Sequence, residues 1–352
     1  MAKNTLDHRC PSCNAVLKFN PHGQNWVCDY CGADYKLEDL ETKTEKLTKE
    51  TKKVKLDKDF EGMDVYSCPN CGAQIVATEE ESATFCVYCR STAILKNKLV
   101  GEFNPSYVIP FRNTKEDAIE AFKKIGKGKP LMPKVFSDPK NINEMKGVYI
   151  PFWIYDYDVD GSINVNAKRI TSFREGNYHV TKTDIYDCIR AGKMSYTRVP
   201  VDGSTHFDDD IMDSIEPFDY EDLKDFTYSY LSGFLAEKYD VDGDQASERA
   251  ILRTKNSTID VLSNDVKGYT SKTVSSSNIN CKQTKRDYIL IPVWMLNIKY
   301  KEKLYKFAMN GQTGKMVGNI PVDKKKAWIY FLSTLFGSFA ILFIFFKLVG
   351  WL

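Results

Sequence analysis

Apolar and polar residues alternate over much of residues 98–322, a pattern typical of strands that are buried on one face. An aliphatic run leading into proline recurs three times there, as YVIPF at 107–111, VYIPFW at 148–153 and ILIPVW at 289–294. Proline lacks the N–H that a central strand donates, so these segments are predicted to be strand starts, edges or bulges. The second and third copies each continue into a strand, a turn and a return strand. The pattern therefore predicts a β-rich domain with an internal duplication.

Turn and helix signals subdivide this domain. Asp160–Gly161 and Asn310–Gly311 are dipeptides favoured in hairpin turns, and we expect a turn at each. Residues 114–125 place apolar side chains at helical spacing behind Thr114, a residue that caps helix N-termini. Residues 242–266 predict a longer helix or a helix pair. Helices are thus expected as insertions between the strands.

A different pattern fills the end of the chain. The segment from Ala327 to Phe346 has 20 residues without a charge, and at 1.5 Å per residue it spans about 30 Å, the thickness of the hydrocarbon core of a bilayer. Lys324, Lys325 and Lys326 precede it and only Lys347 follows it closely. The excess of lysine on one side predicts a single-pass anchor over 324–349 with the N-terminal domains in the cytoplasm. The chain is accordingly expected in the cell membrane.

Eight of the ten cysteines form CxxC pairs at the front of the chain. Both sets have the spacing C-x2-C-x14-C-x2-C, offset by 58 residues, and CPSCNAVLKF matches CPNCGAQIVA. Four thiolates at this spacing can close a tetrahedral shell around Zn²⁺. The sequence therefore predicts two structural zinc ions in two tandem zinc ribbons, and the ligands are Cys10, Cys13, Cys28, Cys31, Cys68, Cys71, Cys86 and Cys89.

The domain boundaries follow from these sets. The first ribbon occupies 1–40, a charged linker 41–62, the second ribbon 63–97 and the β-rich domain 98–322. Redox-active CxxC pairs are the alternative, but such a pair needs a low-pKa thiol at a helix start, which this spacing does not suggest. MAKNTLDHRC lacks the apolar stretch of a signal peptide, so the thiols are expected to stay reduced. The second ribbon is expected to have a core separate from that of the β-rich domain.

Charge bears on what the ribbons bind. Residues 1–62 carry 11 basic and 11 acidic residues, and residues 63–97 carry two basic residues against four acids. Phosphate binding is driven by lysine and arginine, so nucleic acid is disfavoured though not excluded. Protein binding or a structural role is favoured instead.

Three charged stretches leave alternatives open. DYDVDGSIN at 156–164 resembles half of a calcium loop, but Ala167 stands where a glutamate ligand is needed, and exposed aspartates on a strand before a turn are favoured. Ten acids between Asp202 and Asp225 are either helix-start residues or an interaction site for a basic partner. Lys123, Lys124, Lys127, Lys129 and Lys134 can contact anionic headgroups, although an exposed loop is the commoner explanation.

No catalytic motif was found. The sequence has no GxSxG, P-loop or HExxH, and its four histidines are scattered. Cys188 and Cys281 lie in strand-like stretches and are interpreted as packing residues. We therefore expect no enzyme and no small-molecule substrate, with an enzyme built on a cleft in the β domain as the weakest hypothesis.

Several segments together carry a resemblance. CPSC…CDYC, CPNC…TFCVYC, SYVIPF, GVYIPFW, IMDSIEPFDY, LIPVWMLN, FAMNGQTGKMVG and the terminal apolar span resemble bacterial membrane proteins described as transcription-factor-IIB-type zinc-ribbon proteins. The resemblance implies a membrane-recruiting adaptor in cell-envelope stress, with phage-shock or band-7-type proteins as partners. It also implies that all eight cysteines are metal ligands.

The expected fold class is α+β, with two tandem zinc ribbons, a β-rich domain with inserted helices and one C-terminal transmembrane helix. The leading functional hypothesis is an adaptor or scaffold that binds other proteins at the cytoplasmic membrane face. The alternative is a membrane-tethered nucleic-acid-binding protein related to transcription.

Overall fold

The computed structural model describes residues 10–13, 15, 17–40, 63–68, 71–78, 86–88, 95–97, 105–206 and 209–348. The predicted linker 41–62 and the predicted ligand Cys89 lie outside the described residues. Within them the chain is a mixed α+β protein, which confirms the predicted class.

The helices and strands take their bounds from the backbone. The α-helices are α1 (Lys115–Gly126), α2 (Pro139–Ile142), α3 (Asp209–Ile215), α4 (Gly243–Asn264) and α5 (Lys324–Leu348). Short 3-10 helices occupy Lys134–Phe136, Tyr220–Asp222 and Tyr228–Leu231. The strands are β1 (Lys18–Asn20), β2 (Asn25–Val27), β3 (Asp34–Tyr35), β4 (Met63–Ser67), β5 (Gln74–Thr78), β6 (Leu95–Asn97), β7 (Tyr107–Val108), β8 (Lys146–Glu175), β9 (Tyr178–Asp202), β10 (Lys224–Asp225), β11 (Leu235–Glu237), β12 (Ser271–Tyr300), β13 (Lys303–Asn310) and β14 (Met316–Gly318).

Two sheets contain these strands. β1, β2 and β3 form a small antiparallel sheet, and the other eleven strands form one large sheet. The path through the large sheet is β10-β7-β12-β8-β11-β5-β4-β6, with β9 paired to β8 and with β13 and β14 following from β12. β8 and β12 are therefore the central pair, and they run antiparallel with Ile150 opposite Ile291.

An approximate two-fold arrangement surrounds that pair. β11 pairs in parallel with the first residues of β8, and β7 pairs in parallel with β12. Each long strand then turns back into an antiparallel neighbour, β9 for β8 and β13 for β12. The amides of Gly203 and Gly311, one in each half, donate to the carbonyls of Pro151 and Pro292.

The prolines do not lie where the sequence predicted. Pro151 and Pro292 sit inside the central strands β8 and β12, and not at strand starts, edges or bulges. Beside Pro151 the neighbour changes from β11, which ends its pairing at Tyr149, to β9, which begins at Phe152. Pro292 sits at the same kind of change, between β7 and β13. The missing N–H therefore falls where neither neighbour requires a donor.

The predicted hairpin turn at Asp160–Gly161 is wrong. Both residues lie in the middle of β8, which continues to Glu175 before it turns. Gly161 is instead covered by α4, because a side chain there would meet Ile279, Thr258 and Leu262. Asn310–Gly311 does begin a turn, which joins β13 to β14. β12 and β13 are joined through Lys301 and Glu302, which have φ values of 49° and 61°.

The predicted helices are confirmed. Thr114 caps α1, where its side chain accepts from the Asp117 amide and the Asp117 carboxylate accepts in return from the Thr114 amide. Ala118 and Phe122 are the buried residues of this helix. Asp242 caps α4, and its carboxylate accepts from the amides of Asp244 and Gln245. Capping and spacing alone are thus sufficient to locate both helices.

The core lies on both faces of the large sheet, since successive residues of a strand point to opposite sides. Tyr149 belongs to the face covered by α1, while Val148 and Ile150 belong to the face covered by α3. Cys10, Phe19 and Trp26 pack into the first core, and Cys68, Cys86 and Tyr88 pack into the second. The expectation of a separate core for the second ribbon is therefore wrong, and the first cysteine segment likewise shares its apolar contacts with one face of the sheet.

Candidate metal centres

The first cysteine cluster comprises Cys10, Cys13, Cys28 and Cys31. The first pair lies in the turn before β1 and the second pair directly follows β2, so the antiparallel pairing of these strands brings the two pairs together. All four Sγ atoms lie within 4.8 Å of one another. Sγ of Cys10 is 3.4 Å from that of Cys31, and the Sγ atoms of Cys13 and Cys28 are also 3.4 Å apart. Four sulfurs at Zn–S distances of about 2.3 Å would be about 3.8 Å apart, so the cluster is close to a metal cage.

The second cysteine cluster comprises Cys68, Cys71 and Cys86. Their Sγ atoms also lie within 4.8 Å of one another, and Sγ of Cys71 is 3.6 Å from that of Cys86. Both clusters are compatible with metal binding. The structure thus brings together seven of the eight predicted ligands, as two sets.

One turn recurs in both clusters. The Cys28 amide donates to the Ala33 carbonyl, and the Gly32 amide donates to the Cys28 carbonyl. Cys68, Gly72 and Ala73 repeat the same pair of bonds. Both glycines have a positive φ, 73° at Gly32 and 80° at Gly72, which other residues adopt at a cost. The shared letters C-x-x-C-G-A therefore specify the loop that presents two sulfurs.

Backbone hydrogen bonds lower the pKa of two thiols of the first cluster, Cys10 and Cys28. The hydrogen bond from the Cys31 backbone lowers the pKa of the Cys28 thiol. Burial raises the pKa of the Cys10 thiol, but backbone hydrogen bonds from Cys13 and Ser12 outweigh it and lower that pKa to about 6. The pKa of Cys31 is raised, because the Cys10 sulfur and burial outweigh the backbone bond at Ala33. Some thiols thus ionise easily and hold their neighbours neutral, and a bound cation would remove that repulsion.

A buried polar group supports the second cluster. Nε2 of His206 lies 3.1 Å from the carbonyl oxygen of Cys71, and its Nδ1 lies 2.8 Å from Oε1 of Glu237. Ser204 donates to the same carboxylate oxygen at 2.8 Å, and the ring of Tyr88 lies 5.2 Å from the imidazole. Glu237 is fully buried, which raises its pKa, and its hydrogen bond raises the pKa of His206. Both partners of the imidazole accept, so this arrangement favours the imidazolium form.

Sequence analysis missed this group. In the sequence His206 is one of four scattered histidines, and no motif marks Glu237. The available signal was weak: Glu237 directly follows the apolar residues Phe234, Leu235 and Ala236, and a charged residue is almost never fully buried unless it is paired. Its partner, 31 positions earlier, could not be identified without the fold.

The first cluster is supported differently. The indole of Trp26 donates to the Ser229 carbonyl at 2.9 Å, and Ser232 donates to the Leu17 carbonyl. The rings of Trp26, Phe19 and Tyr230 pack together with centroids 5.0–5.5 Å apart. These side-chain contacts, with a backbone bond from the Phe19 amide to the Ser232 carbonyl, hold the small sheet against the large one.

The terminal helix α5 is the candidate membrane segment. It begins at Lys324. Over Lys324–Phe345 its mean hydropathy is 2.0, and the apolar part of this stretch is not buried against the rest of the protein. Its exposed residues include Trp328, Phe336 and Ile341. The helix is long and apolar enough to cross a bilayer once.

The other candidate residues are engaged in the fold. Asp156 and Asp158 lie on strand β8, where Asp156 accepts from the Arg198 amide and Asp158 accepts from Ser195. The aspartates lie on a strand as expected, with Asp158 and Asp160 exposed and Asp156 half-buried, although no turn follows them. Within the acidic stretch, Arg249 contacts Asp202, Asp209 and Asp213, and Arg253 contacts Asp213 and Glu216. Cys188 and Cys281 pack against α4.

Together these features define an α+β protein with two cysteine clusters packed on opposite faces of one large sheet and an apolar C-terminal helix. The chain is 34% identical over 337 residues to a protein of Bacillus subtilis (strain 168) described as uncharacterized protein YdjG, and the match covers 96% of each chain. The chain belongs to the same family as YdjG. No family model matches the chain, and no solved structure matches it.

Proposed function

We propose that this protein is a membrane-anchored adaptor, in which two zinc-ribbon modules are fixed to a β-rich scaffold that binds other proteins at the cytoplasmic membrane face. One observation carries the proposal. The cysteine clusters are compact sulfur cages whose turns pack on opposite faces of the sheet of a chain with an exposed apolar helix. A cage filled by four thiolates leaves no open coordination position for a substrate, which favours a structural over a catalytic metal.

Zinc is the proposed ion. The eight cysteine thiolates would form two coordination shells of four sulfurs each. Thiolate sulfur is a soft ligand that suits zinc, and tetrahedral four-sulfur geometry is typical of structural zinc sites. We expect two zinc ions per chain in freshly reduced full-length protein, measured by elemental analysis. Cys28→Ser or Cys68→Ser should each remove about one ion, while the matched control Cys281→Ser should keep both. A zinc content near zero in the unsubstituted chain would exclude the zinc proposal.

The N-terminal domains are proposed to face the cytoplasm. Lys324, Lys325 and Lys326 precede the apolar helix and satisfy the positive-inside bias. Val322 is 59% exposed before the helix, and Leu348 is 82% exposed at its other end. In intact cells an impermeant thiol reagent should label Leu348→Cys and spare Val322→Cys. The opposite pattern would reverse the topology.

The adaptor role is tested by crosslinking in intact cells, followed by purification of the full chain in detergent. We expect a reproducible protein partner, for which phage-shock and band-7-type membrane proteins are the proposed candidates. Its capture should be lost in Cys28→Ser or Cys68→Ser and retained in Cys281→Ser. If the same proteins are captured regardless of both clusters, the proposed role of the ribbons is wrong. Salt-dependent retention of nucleic acid by the full chain would instead favour the nucleic-acid alternative.

A further inference from the structure

The base of α5 is fixed to a lysine-rich segment from elsewhere in the chain. The Asp323 amide donates to the Leu131 carbonyl at 2.8 Å, and Nζ of Lys326 donates to the Met132 carbonyl at 2.6 Å. Leu131 and Met132, in the segment 127–134 that follows α1, therefore lie against the first turn of the apolar helix. If that turn marks the membrane surface, this segment lies at the same level.

A cleft of about 580 Å³ opens beside this contact. Its floor is apolar and is formed by Phe122, Met132, Phe136 and Ile142. Met132 thus contributes its side chain to the cleft and its carbonyl to the anchor of α5. Through Met132 the cleft therefore adjoins the first turn of α5.

The rim of the cleft is basic. Lys123, Lys124 and Lys127 line it and are exposed, and Glu120 is the one acid along it. The Glu120 carboxylate lies 2.9 Å from Nζ of Lys124, so this pair is neutral, and the described residues that line the cleft include no second acid for Lys123 and Lys127. Exposed lysines continue the positive surface toward the helix, namely Lys129, Lys134, Lys324 and Lys325.

We propose that this cleft binds an anionic phospholipid of the inner leaflet. The lysine rim would hold the phosphate and the apolar floor would cover the first methylenes of an acyl chain. The lysine rim attracts an anionic headgroup, and the apolar floor, which is continuous with the apolar helix, can bury part of an acyl chain. A free anion would gain nothing from contact with the apolar floor, so a lipid is favoured. The inference rests on the proposal that α5 spans the membrane.

The full chain in detergent is incubated with phosphatidylglycerol or with phosphatidylcholine of the same acyl chains, and retained lipid is counted by native mass spectrometry. We expect selective retention of phosphatidylglycerol. Each interfacial lysine is worth about fivefold in affinity, so Lys123→Ser, Lys124→Ser and Lys127→Ser combined should abolish selectivity. The matched control removes three exposed lysines from the long strands, Lys168, Lys182 and Lys193, and should retain it. Equal retention of both lipids by the unsubstituted chain would overturn the proposal.

A second variant separates a lipid site from a general positive surface. Gly126 lines the cleft, and a side chain there would meet the flexible end of Met132 at about 3.0 Å. Gly126→Leu should fill the cleft without changing charge and should lower retention of phosphatidylglycerol several-fold. Full retention in this variant, or displacement of the lipid by inorganic phosphate alone, would show that the floor plays no part and would overturn the lipid site.

Flotation of the same full-length samples with phosphatidylcholine vesicles tests the anchor independently. If the chain does not float, the membrane proposal fails and the lipid site fails with it. If the chain floats but shows no lipid preference, only the lipid site fails.

Discussion

The two cysteine clusters share a spacing and a turn, and the described sulfurs of each lie within 4.8 Å of one another, yet they join the fold in different ways. The first closes its own three-stranded sheet and rests on one face of the large sheet through Trp26 and Ser232. The second is flanked by β4 and β5, which are strands of the large sheet, and β5 pairs directly with β11. Ligand geometry is therefore set by local sequence, whereas the coupling of a site to the rest of the molecule is set by its flanks.

The largest expected difference is the cost of losing a ligand. Cys68→Ser should lower the melting temperature of the large sheet by about 10 °C or more, because loss of a structural metal releases strands that the sheet contains. Cys28→Ser should open the small sheet and lower that melting temperature clearly less. Thermal unfolding, followed by hydrogen exchange of β8 and β12, measures both. Equal effects of the two variants would remove the distinction.

The second-largest difference is expected between the buried hydrogen-bonding groups beside the two clusters. Glu237→Ala breaks a buried ion pair and should cost about 3–5 kcal/mol of unfolding free energy. Ser232→Ala removes one neutral hydrogen bond at the first cluster and should cost about 1 kcal/mol. Denaturant unfolding of the reduced chain incubated with Zn²⁺ gives both values. A cost for Glu237→Ala no greater than that for Ser232→Ala would mean that the His206 group does not stabilise the second cluster.

Trp26→Phe sharpens the view of the first cluster. The ring stays apolar, and the buried Ser229 carbonyl loses the indole donor but keeps the Ser232 amide, so we expect a loss of roughly 0.5–1.5 kcal/mol. Zinc content should be unchanged because no ligand moves. Loss of the first zinc in this variant would show that docking on the sheet and metal binding are one event.

The smallest effect is expected at the exposed edge of the first cluster. Lys18 and Asp29 are 2.7 Å apart but mostly exposed, and such pairs often contribute nothing measurable. Lys18→Gln should leave both the melting temperature and the zinc content unchanged. A clear loss of stability would mean that this cluster depends on its surface more than the packing of Trp26 indicates.

The sequence was sufficient to predict those features that depend on residues close together along the chain. Thr114 and Asp242 could be recognised as caps because capping involves residues two or three positions apart. The Asp160–Gly161 turn was wrong because a strand 30 residues long, with α4 packed over Gly161, overrides a local turn preference. Seven described cysteines are where their spacing placed them, since each pair lies on one turn. The His206 and Glu237 pair depends on two distant segments meeting, which no short pattern encodes.

The two prolines in the central strands have a consequence for register. A neighbour that slid along β8 by two residues would keep its apolar side chains buried, because the side-chain period of a strand is two. Burial alone cannot prevent that slip. The slip would, however, bring a carbonyl of β9 or β11 opposite Pro151, which has no hydrogen to donate, and the same holds for β7 or β13 at Pro292. Each proline therefore acts as an end stop for two neighbouring strands and keeps the two halves of the sheet aligned.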